Sequence, residues 1–217
     1  MYAARPAGKR GRAAPRYTFV MHTQHADIRV IAANEYQRVR WKNGLGWTRE
    51  IVRFPDNDAW IWRLSIAEIE RDAVFSRFSG VDRELVLLSG NGLRLRFESG
   101  EVRELLPPHA NARFEGEAGV TGELIDGPTT DFNLMWRRDA IDAQLWHRPM
   151  VGAMVVFIDP GETWAVHMLS GRAGFDGHDG EASLQLGDTA VLEAGQRRRR
   201  SVIEGVGEAL LIRLTPA

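Results

Sequence analysis

The fold class follows from Trp60-Ile-Trp-Arg-Leu-Ser-Ile-Ala-Glu-Ile69, a stretch in which apolar residues recur at every second position. Its even-numbered residues from Trp60 to Ile66 are all apolar, whereas the odd-numbered face includes Arg63 and Ser65. This period of two is typical of a β-strand with one apolar face, and tryptophan favours strands. The stretch therefore predicts a strand of a sandwich or a barrel.

Short apolar segments separated by glycine turns occupy the rest of the chain. The segments at 84–88 and 93–97 flank Ser89-Gly-Asn-Gly92, which predicts a β-hairpin, and a second turn is expected at 98–101. Leu-Ser-Gly occurs at 88–90 and again at 169–171, so the two halves of the chain resemble each other. Helical periodicity is sparse, and the pattern predicts an all-β jelly roll, sandwich or barrel.

Composition narrows the classes of function. The chain has 217 residues, enough for one large β domain or two small ones. It contains no cysteine, which excludes disulfides, thiolate ligands and a cysteine nucleophile and favours a cytoplasmic location. A formal net charge of −1 argues against general nucleic-acid binding. Apolar runs such as 154–158 fall far short of the ~20 residues of a membrane span, so no membrane partner is expected.

The start of the chain differs from the rest. Residues 1–20 carry several arginines, no acid and no apolar periodicity, a composition that cannot bury enough apolar surface to order itself. Residues 1–27 are therefore predicted to form a disordered basic tail of minor functional importance. A basic arm, a targeting segment and an upstream start codon remain alternative explanations.

A first candidate site lies in Trp41-Lys-Asn-Gly-Leu-Gly-Trp-Thr-Arg-Glu-Ile51. Its glycines allow a tight turn or a close approach of the backbone. Asn43, Thr48 and Glu50 supply an amide, a hydroxyl and a carboxylate, which are groups that recognise small polar molecules. A glycine turn whose tryptophans belong to the core is the alternative.

Two arginines are candidates for binding an anion. A mid-strand Arg63 pointing into a barrel with Ser65 needs a partner, and a ligand carboxylate would accept two parallel hydrogen bonds from it. If the apolar face is the only buried one, both residues face water instead. Arg83 is either a second cation of the site or one half of a local ion pair with Asp82.

Further along the chain, Asp131 and Asn133 bracket Phe132 at strand spacing, so both polar side chains share one face. They are expected either to complete the polar cluster or to bond nearby backbone. The aromatic residues are read as walls of the pocket or as core. These candidates are Trp41, Phe75, Phe78 and Phe132.

No metal and no cofactor are expected. The chain has six histidines but no His-x-His pair, so a facial triad of two histidines and a carboxylate lacks its local parts. A site assembled from distant histidines stays open. The run Arg197–Arg200 is read as a solvated turn or a partner-facing edge rather than a nucleic-acid site.

Several spaced blocks, in this order between residues 28 and 214, resemble the HutD/Ves family. They are Trp41-x-Asn43-Gly44-x-Gly46-x-Thr48-x-Glu50, Trp62-Arg63-x-Ser65-x-Ala67, Phe75-Ser76-x-Phe78-Ser79-Gly80-x-Asp82-Arg83, Gly127-Pro128 and Asp131-Phe132-Asn133-Leu134-Met135-x-Arg137. Leu45 departs from the family pattern, where a third glycine is expected in the turn.

The resemblance implies an RmlC-like cupin fold with two jelly-roll or β-barrel units in one chain, a bicupin. The first barrel, 28–130, would carry the motifs and the working site, and the second, 131–217, would be mainly structural. Family members are linked to bacterial histidine utilisation or to stress responses. The resemblance implies metal-independent binding of a small anionic metabolite, such as formylglutamate or urocanate, in a regulatory or accessory role.

Two other classes of function remain. The chain could be a cupin enzyme, an isomerase or hydrolase with Glu50 as general base. It could also be a protein-interaction module that uses the arginine run and an exposed sheet edge. A homodimer formed through edge strands is compatible with all three functional hypotheses.

Overall fold

The structure is a computed structural model that describes residues 28–41, 43–176 and 182–217. Its regular elements are a 3-10 turn at Ala33–Glu35 and, in chain order, the strands β1 (Ile28–Ile31), β2 (Gln37–Arg40), β3 (Gly46–Phe54), β4 (Trp62–Ile69), β5 (Ala73–Val74), β6 (Val81–Ser89), β7 (Leu93–Phe97), β8 (Val102–Leu105), β9 (Asn111–Glu115), β10 (Val120–Leu124), β11 (Thr129–Arg137), β12 (Ile141–Ile158), β13 (Thr163–Phe175), β14 (Ser183–Gln185), β15 (Thr189–Glu193) and β16 (Arg199–Pro216). Because these described residues contain no α-helix, the all-β prediction is confirmed. Within them there is likewise no helix long and apolar enough to cross a bilayer. The predicted tail at 1–27 lies outside the described residues.

The strands form three antiparallel sheets. The central sheet has the order β2-β3-β4-β11-β6-β9, and the small sheet has the order β5-β10-β7-β8. The carboxy-terminal sheet has the order β1-β15-β13-β16-β12, with β14 paired to β13. A core cluster fills the space between the central and small sheets, and a second cluster joins the central sheet to the carboxy-terminal sheet.

Strand pairing crosses the boundary expected between residues 130 and 131. β11 spans that position and lies in the central sheet between β4 and β6. β1, from the other end of the chain, pairs with β15, with Ile28 opposite Leu192. The division of the chain into two barrel units stays a prediction, but the first strand belongs to the carboxy-terminal sheet.

The hairpin predicted between residues 84–88 and 93–97 is wrong, although both strands exist. β6 pairs with β11 and β9, whereas β7 pairs with β10 and β8. Gly90 and Gly92, with φ of 98° and 146°, carry the chain from the central sheet to the small sheet through backbone conformations that glycine accepts. The apolar faces of β6 and β7 therefore meet across the core. The turn at 98–101 does close a hairpin, between β7 and β8, as predicted.

Both faces of the central sheet are covered. On β4, Trp62 and Leu64 pack toward the carboxy-terminal sheet, and successive side chains of a strand point to opposite faces. Arg63 and Ser65 consequently point toward the small sheet, and Ser65 is only 1% exposed. The alternative in which these two residues face water is wrong, because the small sheet closes over the second face.

Candidate functional site

A cavity of about 550 Å³ lies between the central and small sheets. Its lining residues are Arg40, Trp41, Asn43, Thr48, Arg63, Ser65, Ala67, Val74, Phe75, Ser76, Phe78, Arg83, Asp131, Asn133 and Met135. All but two of the side chains selected from the sequence are among them. The exceptions are Glu50 and Phe132. The volume falls within the range of about 300–1,000 Å³ that is usual for small-molecule sites.

Strand register builds the polar floor of this cavity. Met135 on β11 lies opposite Arg63 on β4 and opposite Arg83 on β6. Two residues earlier on the same face, Asn133 lies opposite Ser65. Pairing of three strands thus brings together side chains that are far apart in the sequence.

Arg83 is a buried cation on this floor, 6% exposed. Its guanidinium carbon lies 5.4, 5.8 and 5.3 Å from the ring centroids of Phe75, Phe78 and Phe114, a distance range in which the aromatic faces attract a cation. Burial lowers the pKa of Arg83 to about 10, so the side chain stays charged at neutral pH. Its Nε has no hydrogen-bond partner among the described residues.

The alternative ion pair between Arg83 and Asp82 does not form. Asp82 instead accepts hydrogen bonds from Arg138 at 2.9 Å and from Arg113 at 3.2 Å. The reason is that neighbouring residues of β6 point to opposite faces of the sheet. Arg83 therefore lines the cavity without pairing with Asp82.

Asp131 places a carboxyl group beside this cation at 1% exposure. Burial raises the pKa of Asp131 from 3.8 to about 7, against the opposing effect of the charge on Arg83. Within the described part of the chain, neither Asp131 Oδ1 nor Asn133 Oδ1 has a hydrogen-bond partner. Buried polar atoms are rarely left unpaired, so these two acceptors indicate a place for a donor.

Asp131 should make stability depend on pH. Its pKa is raised from 3.8 to about 7, so the folded state holds this proton more tightly than the unfolded chain does between those pH values. Its contribution to the free energy of unfolding is therefore fully present below about pH 3.8 and is lost progressively as pH rises from there through about 7. We expect urea unfolding at a series of pH values to show that this decline in the free energy of unfolding is absent from Asp131→Asn.

The quantity to compare is the free energy of unfolding of the wild type minus that of Asp131→Asn at each pH. Burial lowers the pKa of His167 from 6.5 to about 4, which gives an opposite slope in an overlapping range. That slope is common to both proteins and cancels in the difference. A difference that stays constant with pH would show that Asp131 does not titrate in this range.

Glu50 lies beside the cavity and binds one of its arginines. Arg63 Nε donates to Glu50 Oε2 at 2.8 Å, and Arg53 Nε lies 3.5 Å from the other carboxylate oxygen. Glu50 is not among the lining residues. The carboxylate therefore holds Arg63 in place and offsets part of its charge.

Trp41 and the turn at 43–46 order one wall of the cavity. Trp41 Nε1 donates to Thr48 Oγ1 at 2.8 Å, and the backbone N–H of Leu45 donates to Asn43 Oδ1 at 3.0 Å. A Cβ on Gly46 would lie 2.5 Å from the carbonyl oxygen of Glu68 on the neighbouring strand. Gly46 is thus required by a close backbone approach, and Asn43 has a structural bond as well as a place on the wall.

Gly46→Ala should deform this wall. The added Cβ would also lie 3.1 Å from two ring atoms of Trp41, so the strand or the indole must shift. Overpacking of this kind costs about 1–3 kcal/mol of stability. We expect the variant to unfold at lower urea concentration, while Gly174→Ala, where a Cβ meets nothing within 4 Å, does not. Equal effects of the two substitutions would contradict the close-approach account.

Phe132 does not line the cavity. It is fully buried on the opposite face of β11, in the cluster between the central and carboxy-terminal sheets, with its ring centroid 5.0 Å from that of His167. The strand spacing that puts Asp131 and Asn133 on one face puts Phe132 on the other. Its role is therefore in the core.

Sequence reasoning missed several lining residues. Met135 continues the alternation of Asp131 and Asn133, so the period of two could have identified it. Ser76 lies between the two phenylalanines already selected. For Arg40, which pairs with Glu70 at 3.0 Å, no sequence signal pointed to the site.

A metal of the kind many cupins hold does not fit this cavity. Among the residues that the structure describes, its lining contains no histidine and a single carboxylate, that of Asp131. Iron, manganese and zinc sites in proteins need several imidazole or carboxylate ligands. The buried His167 is not among the lining residues, and its Nδ1 shares a hydrogen bond of 2.9 Å with Thr189 Oγ1.

Comparison with known proteins places these residues in context. The HutD family model matches residues 33–211. An uncharacterised 21.2 kDa protein of the hutC 3′ region of Pseudomonas putida is 40% identical over 122 residues, 55% of this chain and 64% of that protein, so the match spans less than two thirds of its length. Protein Ves of Citrobacter koseri is 32% identical over 173 residues, 75% of this chain and 87% of that protein.

Solved structures agree with the fold. HutD from Pseudomonas fluorescens SBW25 is 31% identical, with a TM-score of 0.77 over 88% of this chain and 99% of that chain. Oxalate decarboxylase of Lactobacillus farciminis has a TM-score of 0.63 at 10% identity over 90% of this chain and 88% of that chain, a likeness of fold alone. The cupin-like fold expected from the sequence is confirmed.

Proposed function

Because the chain belongs to the HutD family, we propose that its cavity binds a small anionic metabolite without a metal, in a regulatory or accessory role in histidine utilisation. One observation carries the proposal. Three buried polar atoms of the cavity lining have no hydrogen-bond partner among the described residues. They are Arg83 Nε, Asp131 Oδ1 and Asn133 Oδ1. Such atoms are costly to bury unless something binds them.

The charge distribution favours an anion. Arg63 is paired with Glu50 at 2.8 Å, and Arg40 with Glu70 at 3.0 Å, so much of their charge is already offset. Asp131 is the carboxyl group that faces Arg83, and burial raises its pKa to about 7. When Asp131 is protonated, the charge on Arg83 is left for a ligand carboxylate.

The unpaired acceptors narrow the ligand class further. Asp131 Oδ1 and Asn133 Oδ1 would accept hydrogen bonds, so a ligand that satisfies the whole floor carries an N–H donor as well as a carboxylate. Formylglutamate has an amide N–H and urocanate an imidazole N–H. A simple dicarboxylate such as succinate has the anion but not the donor.

Thermal unfolding of the full chain in a chelator tests the proposal. A ligand that binds only the folded state raises the melting temperature by mass action, equivalent to about 2.7 kcal/mol at a hundred times Kd. We expect a rise with urocanate or formylglutamate and a smaller one with succinate, which lacks the N–H donor, and the chelator should not abolish it. A panel without any shift would reject the binding proposal, and a shift that needs added metal would reject its metal-free form.

A second candidate function, catalysis, rests on Asp131 rather than on Glu50. A carboxyl group whose pKa is raised to about 7 inside a cavity is suited to general acid–base chemistry. Glu50 is occupied by Arg63 and does not line the cavity. Turnover of the bound acid, followed by product analysis and lost in Asp131→Asn, would favour an isomerase or hydrolase over a binding protein.

A further inference from the structure

Outside the cavity, three metal-ligating side chains converge where the central and carboxy-terminal sheets meet. They are His109, from the loop between β8 and β9, His147 on β12 and Glu208 on β16. One ligand atom from each lies within 4.8 Å of the others. His147 Nε2 is 2.7 Å and His109 Nε2 is 3.6 Å from Glu208 Oε2.

Two of the ligands are fixed by strand pairing. His147 lies opposite Leu210 in the ladder of β12 and β16, so Glu208, two residues away, is its diagonal neighbour on the same face. This arrangement sets the carboxylate beside the imidazole without any motif in the local sequence. The third ligand, His109, comes from the loop between β8 and β9.

The orientation of His109 also favours a metal. Its Nδ1 lies 3.1 Å from the carbonyl oxygen of Leu87, so Nδ1–H donates to this oxygen and Nε2 is the ring atom that faces Glu208. Histidines that bind metals usually donate the other ring N–H to a carbonyl or carboxylate in this way. His109 also has a φ of 54°, uncommon outside glycine, and such backbone outliers concentrate at ligand sites.

We propose that His109, His147 and Glu208 form a binding site for a divalent transition metal, with Zn²⁺ as the best-suited ion. Two imidazoles and a carboxylate are ligands that Zn²⁺ accepts at about 2.0–2.2 Å, and a fourth position stays open to water. All three groups are partly accessible, with side-chain exposures of 18%, 35% and 42%, so the ion has an entry path.

The site would link two parts of the fold. None of its ligands lines the cavity, so the proposal does not depend on the bound acid. A metal here joins the loop that precedes β9 to the ladder of β12 and β16. Binding to the folded state alone then raises stability, as for structural metals in general.

Zinc titration of the full chain tests the site. The wild type should gain melting temperature with Zn²⁺, and Co²⁺ should give a visible absorption band that Zn²⁺ displaces. Glu208→Gln and His147→Gln should each weaken Zn²⁺ binding in calorimetry at least about 10-fold, the lower bound for losing even an outer-shell partner. Glu204→Gln on the same strand is the matched control, and it should bind as the wild type does.

Either of two outcomes would overturn the proposal. One is a wild type that shows neither the shift in melting temperature nor the cobalt band. The other is zinc binding that survives both ligand substitutions, which would assign the metal to other histidines of the chain. Circular dichroism of each variant without metal checks that it is folded, and His109→Gln provides a third ligand variant if one of the first two is not.

Discussion

Arg83→Met should abolish binding of the acid while the protein stays folded. Methionine fills similar volume against Phe75, Phe78 and Phe114 but carries no charge for a ligand carboxylate. Removing one partner of a buried charge pair costs about 2–5 kcal/mol, which at 1.4 kcal/mol per tenfold is at least about a 30-fold loss of affinity. Isothermal titration with the acid found in the thermal panel measures it.

Arg63→Met is the matched control for this prediction. Arg63 faces the same cavity, but Glu50 already offsets its charge at 2.8 Å, so we expect a smaller loss of affinity. If Arg63→Met abolishes binding and Arg83→Met does not, the anion lies against β4 and the assignment of Arg83 is wrong. Unfolding curves of both variants separate loss of binding from loss of fold.

Phe132→Ala should produce the largest loss of stability at any position selected from the sequence. Phe132 is fully buried in the cluster that joins the central and carboxy-terminal sheets. Truncation of a core phenylalanine costs about 3–5 kcal/mol, because apolar contact is lost and a cavity remains. Whole domains are stable by only about 5–15 kcal/mol, so urea unfolding should show a marked shift of the midpoint.

Phe78→Ala distinguishes a core role from a role at the site. Phe78 lines the cavity, lies under Arg83 and is only partly buried. We expect Phe78→Ala to cost less stability than Phe132→Ala and to weaken acid binding more. If Phe132→Ala instead leaves stability intact and reduces affinity, Phe132 contributes to the site after all.

Much of the site could be read from the chain because strands alternate. The spacing of Arg63 and Ser65, and of Asp131 and Asn133, identified pairs that share a face, and all four line the cavity. The same rule should have placed Phe132 on the opposite face of β11. Both a pocket wall and the core were open for this aromatic residue, and the alternation of the strand favours the core.

Strand existence was easier to predict than strand pairing. Residues 84–88 and 93–97 form strands as expected, yet the glycine turn between them leads to a different sheet. A glycine turn between two apolar segments looks the same in the sequence whether the two strands pair as a hairpin or belong to different sheets. What separates the two cases is the set of distant strands, β11 and β10, that compete for the edges of β6 and β7.

Local chain geometry thus accounts for the all-β fold, for the alternating faces and for the residue types that gather at the cavity, since each depends on neighbours within a few positions. Long-range packing accounts for the rest. The small sheet packs over the face of the central sheet that carries Arg63 and Ser65, so this face lies in the interior. The register of β6 with β11 places Arg83 on the same face. His109, His147 and Glu208 meet for the same reason, because contacts between distant strands depend on the folded whole and leave no signal in the spacing of residues along the chain.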